Sequence, residues 1–187
     1  LLPNFTVPKG FQFLNASGGA AFIDLEGASS TVSGTQGATE VTITPTEAQR
    51  AYTLQRSSTV GGDGSTVLLE VAAASFKDLG QNDNPAIAPD AFVNGVAELS
   101  DTVIPTVASV ALNYSTGVLT MTASETMVVG ASFVDLSKWF IVTGAQSNVP
   151  LVGAEVTTPA AQSPAPTDTS MSVTLTLAQR AAALLSS

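Results

Sequence analysis

The sequence predicts an all-β fold, built as two tandem antiparallel β-sandwich units that each contain one short helix. Thr and Val are abundant in the chain, and β-branched side chains fit a pleated sheet better than a helix. Short segments alternate between apolar and polar residues and end in turns, as antiparallel strands do. An internal repeat then divides the chain in two. A parallel α/β fold is disfavoured because the predicted helices do not alternate with strands.

The repeat joins two segments of the chain. Residues 41–57 (VTITPTEAQRAYTLQRS) align without a gap with residues 171–187 (MSVTLTLAQRAAALLSS), 130 positions later, and eight of the 17 positions are identical. Upstream, the match continues with small gaps through Leu25-Glu26-Gly27-Ala28 with Leu151-Val152-Gly153-Ala154, Phe11 and Phe13 with Trp139 and Ile141, and Phe5 with Phe133. We therefore interpret residues 1–57 and about 128–187 as two copies of one segment.

The natural seam between the units is Leu99–Pro105, a Pro-containing stretch between two β-rich blocks. It predicts one unit at residues 1–101 and another at residues 102–187. Because the repeat is about 130 residues long, we expect the first unit to lack its opening strands and the second to lack its closing strands. The sequence would then be a window on a longer array, with Leu1 at an internal point.

Period-two alternation predicts the strands in order along the unit. A hairpin follows the seam, with Val107–Tyr114 and Val118–Ala123 on either side of the turn Ser115-Thr116-Gly117. Further strands are predicted at Phe11–Asn15 with its copy Trp139–Thr143, at Ala21–Leu25, at Glu40–Thr44 with its copy Met171–Leu175, and at Thr66–Ala72.

One helix per unit is predicted by a capping box, in which a Ser or Thr precedes a Glu or Gln by three positions. Thr46 and Gln49 fit this pattern, as do their copies Thr176 and Gln179. The helices are expected at residues 47–55 and 177–185.

Composition argues against an enzyme and against a nucleic-acid partner. The chain has no His and no Cys, which excludes imidazole bases, thiol nucleophiles, disulfides and the usual zinc sites. Its net charge of −9 opposes the counterion release on which polyanion binding depends. Asp24 and Glu26 form the one carboxylate pair considered for catalysis, and we interpret them as a solvated strand face. No apolar run approaches the ~20 residues of a membrane span.

An oxygen-rich loop before the seam is a candidate calcium site. It contains Asp78, Asn82, Asp83 and Asn84, followed by Asp90, and Glu98 and Asp101 lie close by in sequence. Calcium takes six to eight hard oxygen ligands, so the metal prediction names Asp78, Asn82, Asp83, Asn84 and Asp101. The alternative is that these side chains only form Asx turns within the loop. No other cofactor is expected.

Two further features of the sequence have open interpretations. Three N-x-S/T sequons, at Asn4, Asn15 and Asn113, are candidate glycosylation sites in a secreted eukaryotic protein, or chance matches in a Ser/Thr-rich chain. Arg50 and Arg180 recur in the repeat. They are expected either to contact a neighbouring unit, or to form a local salt bridge or a contact with helix-end carbonyls.

The order of the motifs resembles that of immunoglobulin-like repeats of the bacterial S-layer type. The resemblance is carried by Asp101-Thr-Val-Ile-Pro105, Ser115-Thr-Gly117 and Ala123-Ser-Glu125. The loop Phe76-Lys-Asp78-Leu-Gly80-Gln-Asn82 also looks like the D-x-x-G-N loop of such repeats, with Gln81 inserted. The AQR helix and the Gly61-Gly-Asp-Gly64 turn are similar to those in long extracellular surface proteins of algae and other protists.

The resemblance implies an immunoglobulin-like sandwich with a role at the cell surface and no catalytic site. We expect an extracellular structural repeat of a stalk, filament or surface protein, whose partners are neighbouring copies or other surface-layer components. The alternative is an adhesin or carbohydrate-binding module, stiffened by calcium. It would need exposed aromatic side chains or a metal site at one end of the sandwich.

Overall fold

The computed structural model describes residues 10–15, 23–33, 40–89, 96–143, 147–157 and 167–185. These residues form mostly β-strands, all paired antiparallel, together with two short α-helices. The prediction of an all-β, antiparallel fold with two short helices is therefore confirmed at this level. The chain divides into two compact units, Leu1–Thr102 and Val103–Ser187.

The first unit contains five strands and one helix among its described residues. They are β1 (Phe11–Asn15), β2 (Ile23–Asp24), β3 (Ser29–Ser33), β4 (Glu40–Thr44), α1 (Glu47–Leu54) and β5 (Val67–Val71). One sheet has the strand order β2-β1-β5, and β3 pairs with β4. Leu25 and Ala28 form the buried centre of the unit, packed against Phe11, Phe13 and Ile43.

The second unit contains six strands and one helix among its described residues. They are β6 (Val107–Asn113), β7 (Val118–Val128), β8 (Phe140–Thr143), β9 (Ser147–Pro150), β10 (Glu155–Thr157), β11 (Thr167–Thr174) and α2 (Leu177–Leu185), with a short 3-10 helix at Leu136–Lys138 before β8. One sheet has the order β10-β11-β7-β6, and β8 pairs with β9. Its core is Leu119, Leu151, Val173 and Leu175, next to a second cluster of Met121, Val129 and Met171.

The alternation that predicted the hairpin also decides which residues of β7 are buried. Leu119, Met121 and Ala123 are buried and alternate with half-buried Thr120 and Thr122. Successive side chains of a strand point to opposite faces, so one face of β7 supplies the core. The strand continues to Val128, five residues beyond its predicted end. Gly117 has a positive φ of 75°, which closes the hairpin turn at no steric cost.

Three strands were not predicted: β3, β9 and β10. β3 is Ser-Ser-Thr-Val-Ser and has little apolar signal, β9 ends in a proline, and β10 has only three residues. Each is paired with a strand of clearer pattern. Tertiary pairing therefore sets these strands, since their own propensities are weak. One predicted strand is shorter than expected among the described residues: the strand expected at Ala21–Leu25 is described only at Ile23–Asp24.

Candidate functional site

The recurring structural site of this chain is the start of each helix, where a glutamine holds a distant loop. In the first unit, Oε1 of Gln49 accepts a hydrogen bond from the Thr46 backbone N–H at 2.7 Å, and the Thr46 hydroxyl accepts one from the Gln49 N–H. Together these bonds make the predicted capping box. The Gln49 Nε2 group donates two further bonds, to the carbonyls of Asp24 at 2.8 Å and Glu26 at 3.0 Å.

The second unit repeats this arrangement bond for bond. Oε1 of Gln179 accepts from the Thr176 N–H at 2.9 Å, and its Nε2 group donates to the carbonyls of Pro150 at 2.8 Å and Val152 at 2.9 Å. We call this arrangement the glutamine clamp. It ties the helix to the loop that packs the central leucine of the unit, which is Leu25 in one copy and Leu151 in the other.

The loop held by each clamp is built in the same way in both copies. Leu25 N–H donates to the Phe11 carbonyl, and Leu151 N–H donates to the Trp139 carbonyl, each at 3.0 Å. Each leucine carbonyl accepts from the N–H three residues later, again at 3.0 Å. The glycine between them, Gly27 or Gly153, has a φ of 86° or 85°, a conformation that favours glycine.

Strand register recurs as well. In β1 and β2, Phe13 faces Ile23, and in β8 and β9 Ile141 faces Val149. In β3 and β4, Ser30 faces Ile43, and in β10 and β11 Val156 faces Val173. The sequence repeat aligns Phe13 with Ile141 and Ile43 with Val173, and their strand partners lie two residues before or after the aligned Leu-x-Gly-Ala loops. The described parts of both copies therefore share strand pairing, loop hydrogen bonds and helix cap.

The oxygen-rich loop brings four of the five predicted calcium ligands into one short stretch, residues 78–84. Asp78 accepts hydrogen bonds from the Asn82 backbone N–H at 2.8 Å and from its side-chain amide at 2.9 Å. The side-chain amide of Asn82, followed by its backbone N–H, lowers the pKa of the exposed Asp78 carboxyl. Asp83 forms an ion pair with Lys77 at 2.6 Å.

Asn84 is buried, and its side chain organises the backbone of this loop. Its Oδ1 accepts from the Phe76 N–H, and its Nδ2 donates to the carbonyls of Ala72 and Pro85. Two of these contacts reach 8 and 12 positions along the chain, so Asn84 bonds to distant backbone and does not form an Asx turn, which joins a side chain to the backbone two residues on. In the described stretches of chain, no three His, Cys, Asp or Glu side chains are grouped so that they could hold a metal ion. Asp90 lies outside the described residues, and calcium binding stays a prediction.

Asp101, the fifth predicted ligand, is held by the helix of the first unit. Nη1 of Arg50 donates to Oδ2 of Asp101 at 2.6 Å, while its Nε and Nη2 groups donate to the two carboxylate oxygens of Glu47 at 2.8 Å. The hydrogen bond to Glu47 raises the pKa of Arg50 most, burial opposes it, and the hydrogen bond to Asp101 raises it further. The pair with Glu47 is the local salt bridge expected for Arg50. The pair with Asp101 adds a link to the seam.

Glu98 also fastens this end of the first unit. Its carboxylate accepts from the Ser58 N–H at 2.9 Å, the Ser58 hydroxyl at 3.1 Å and the Val67 N–H at 3.0 Å. It therefore joins the segment after α1 to the start of β5. In the sequence Glu98 stands only near the oxygen-rich loop, because contacts between residues 31 and 40 positions apart leave no local pattern.

The three sequons occupy different situations. Asn4 lies outside the described residues, and Asn15 ends β1 opposite Val67. Asn113 is exposed, and its Oδ1 accepts from the Ser115 and Thr116 N–H groups at 2.9 and 3.3 Å. An N-glycan is attached through the amide nitrogen, so Oδ1 could hold the hairpin turn in the glycosylated form as well. Glycosylation stays a prediction.

An open apolar groove of about 570 Å³ lies in the second unit between β6 and β8. Its lining includes Leu112, Tyr114, Trp139, Ile141 and Leu151. The structure places Trp139 half-buried, in contact with both the core and the groove. The alternating pattern identifies the apolar face of a strand, but it gives no sign that part of that face lies open.

We predict that replacing Asp101 by Asn lowers the free energy of unfolding of the first unit by about 0.5–1 kcal/mol, because both partners of the pair are partly exposed. Glu47→Gln, which removes the pair inside the helix, is the matched control and is expected to cost about 0.3–0.5 kcal/mol. Urea unfolding at low and high salt measures both. Salt screens exposed charges, so a deficit for Asp101→Asn that is unchanged at high salt would contradict an electrostatic link.

We predict an acid-sensitive step in the loop at Asp78. The pKa of this carboxyl is lowered in the folded protein. Its contribution to the stability of the loop is therefore complete above the ordinary aspartate pKa and is lost as the pH falls through the pKa of the folded state. The Asn82 amide resonance should shift at that point, and exchange with solvent should accelerate. Asp78→Asn keeps one acceptor oxygen and should abolish the step. An Asn82 amide that titrates at or above the ordinary aspartate range would refute the assignment.

In the part of the chain that the structure describes, no helix combines the length and the apolarity that a membrane crossing requires. Comparison of the chain with protein-family models, with curated proteins and with solved structures found no match.

Proposed function

We propose that this chain is a stretch of an array of immunoglobulin-like β-sandwich units and that it serves as an extracellular structural element. The observation that carries the proposal is the glutamine clamp, which recurs with the same hydrogen bonds, the same loop and the same strand registers in both units. Two copies of one built unit within a chain are the mark of a repeat architecture.

The strand order supports the immunoglobulin-like part of this proposal. Taken in chain order, β6, β7, β10 and β11 correspond to strands A, B, D and E of such a sandwich, and the sheet order β10-β11-β7-β6 is then D-E-B-A. Strand β8, with β9 beside it, takes the place of strand C in the opposite sheet. In the first unit β5 pairs with β1, the counterpart of β8, as strand F pairs with strand C.

A mechanical role follows from this construction. Each unit is held by antiparallel ladders and a buried centre, and in an array of such units these ladders would resist extension of the chain. Only 11% of the residues are charged, so the surface of such an array would be polar but weakly charged. The proposed partners are neighbouring copies of the unit or other surface-layer components, and the proposed location is the cell surface.

Imaging of the native assembly tests the proposal. We expect electron microscopy of the extracellular material of the source cells to show fibres or a layer labelled by antibodies against this chain. Labelling confined to the cell interior, or a native protein that forms no periodic assembly, would defeat the proposal.

The groove beside Trp139 favours one alternative, a carbohydrate-binding or adhesive module. Thermal melts with calcium and with oligosaccharides separate the two functions, because a ligand that binds only the folded state raises the melting temperature. A structural unit should show no shift with either ligand. A shift with calcium that Asp78→Asn removes would establish the metal site in the loop at residues 78–84.

A further inference from the structure

The second unit has an apolar groove at the edge of an incompletely paired strand. Within the described residues β8 pairs only with β9, so its other edge has no strand beside it. The groove is lined by the consecutive residues 138–141 at the start of β8, and Val110, which also lines it, is 59% exposed. An apolar groove next to a row of unpaired backbone groups is suited to bind a β-strand.

The first unit contains a strand at the corresponding place. There β5 pairs antiparallel with β1 along all five residues, with Val71 opposite Phe11 and Leu69 opposite Phe13. Val67 and Val71 of β5 are 4% and 3% exposed. The repeat and the shared register equate β1 with β8, so Phe11 and Phe13 correspond to Trp139 and Ile141.

We propose that the groove and the adjoining edge of β8 receive a β-strand of the β5 type, supplied by the next segment of the array after α2. This inference rests on the proposed repeat function and specifies the partner of one surface. The strand would run antiparallel to β8, with a β-branched residue opposite Trp139 and an apolar residue opposite Ile141. Its alternate side chains would enter the groove between β8 and β6.

The chemistry of β5 matches the groove. Val67, Leu69 and Val71 lie on one face of the strand, and the groove is lined by Leu112, Leu119 and Ile141. The backbone of the incoming strand would pair with the free edge of β8, as in recognition by β-strand addition. In the first unit β5 follows α1 along the same chain, which favours a strand supplied from the chain itself over one from a second molecule.

Trp139 provides the readout, because it is the only tryptophan of the chain and lines the groove. The full chain is extended after Ser187 by a second copy of residues 58–102, which contains no tryptophan. Docking should shift Trp139 emission to the blue, reduce its quenching by acrylamide several-fold and slow hydrogen exchange in β8. The control carries the same extension with Val67→Asp and Val71→Asp in the appended copy only, and it should behave like the unextended chain.

An unchanged Trp139 in the extended chain would overturn the inference, as would equal changes with the apolar and the Asp-bearing extensions. Two other occupants would also overturn it: an emission shift of the unextended chain on adding oligosaccharides, or a concentration-dependent shift accompanied by dimerisation. None of these results concerns periodic assembly in the native material. The failure of the strand site and the failure of the proposed function are therefore distinguishable.

Discussion

Replacing Leu151 by Ala should destabilise the second unit by about 2–5 kcal/mol, the range for large-to-small substitutions in a packed core. Leu151 is 1% exposed and packs against Leu119, Val173 and Leu175. Its removal loses the transfer free energy of the side chain and leaves a cavity that the surrounding strands fill only in part. Urea unfolding, read through hydrogen exchange of amides in β7 and β11, measures the loss where it occurs.

Leu25→Ala is the matched control, since Leu25 holds the same position in the first unit and is 2% exposed. The cluster around Leu25 is smaller, with Ala28 as its only other buried member among the described residues. We therefore expect Leu25→Ala to lower the free energy of unfolding of the first unit by an amount toward the lower end of the same range. A loss below about 1 kcal/mol for Leu151→Ala, or a larger loss for Leu25→Ala, would contradict this description of the two cores.

The elements that sequence analysis predicted well are those whose signal is local. The two helices begin at capping boxes, where Thr and Gln meet within one turn, and their starts agree with prediction. The hairpin of β6 and β7 follows from alternation on both sides of Gly117. By contrast, β3, β9 and β10 have weak patterns and depend on the strands beside them.

The glutamine clamp shows where the local signal ends. The capping box predicts the bond between Gln49 and the Thr46 backbone, but the bonds to Asp24 and Glu26 span 25 and 23 positions. One sign of them was in the sequence: the glutamine is identical in both copies, and both copies keep the Leu-x-Gly-Ala loop that it holds. A glutamine needed only for the cap could be replaced by Glu. A glutamine that must also donate hydrogen bonds to the loop carbonyls could not be replaced by Glu.

The same limit of local sequence signals decides which parts of the candidate sites could be predicted. Sequence proximity did bring Asp78, Asn82, Asp83 and Asn84 into one loop, but it could not show that Asn84 is turned inward to the backbone. The pairing of Asp101 with Arg50 spans 51 positions and depends on the fold. The groove beside β8 was missed because strand patterns reveal an apolar face and say nothing of which strands cover it.

Replacing Gln179 by Glu should destabilise the second unit by about 2–4 kcal/mol at neutral pH. The substitution buries a negative charge and removes the N–H donors of the amide. Gln179 is 8% exposed, and its Nε2 group donates to two carbonyls. A carboxylate keeps the bond from the Thr176 N–H but directs an oxygen at those carbonyls. Hydrogen exchange in α2 and β9, with urea unfolding, should show the loss.

The pH dependence separates this mechanism from a simple packing defect. Burial and the facing carbonyls raise the pKa of the new carboxyl above its unfolded value. The deficit should therefore be largest above that folded pKa and shrink as the pH falls, because a protonated carboxyl can donate one bond again. Gln49→Glu is the matched control: that site is half-buried, so its deficit should be smaller. A deficit independent of pH, or equal at both positions, would show that the donated bonds do not hold the loop in place.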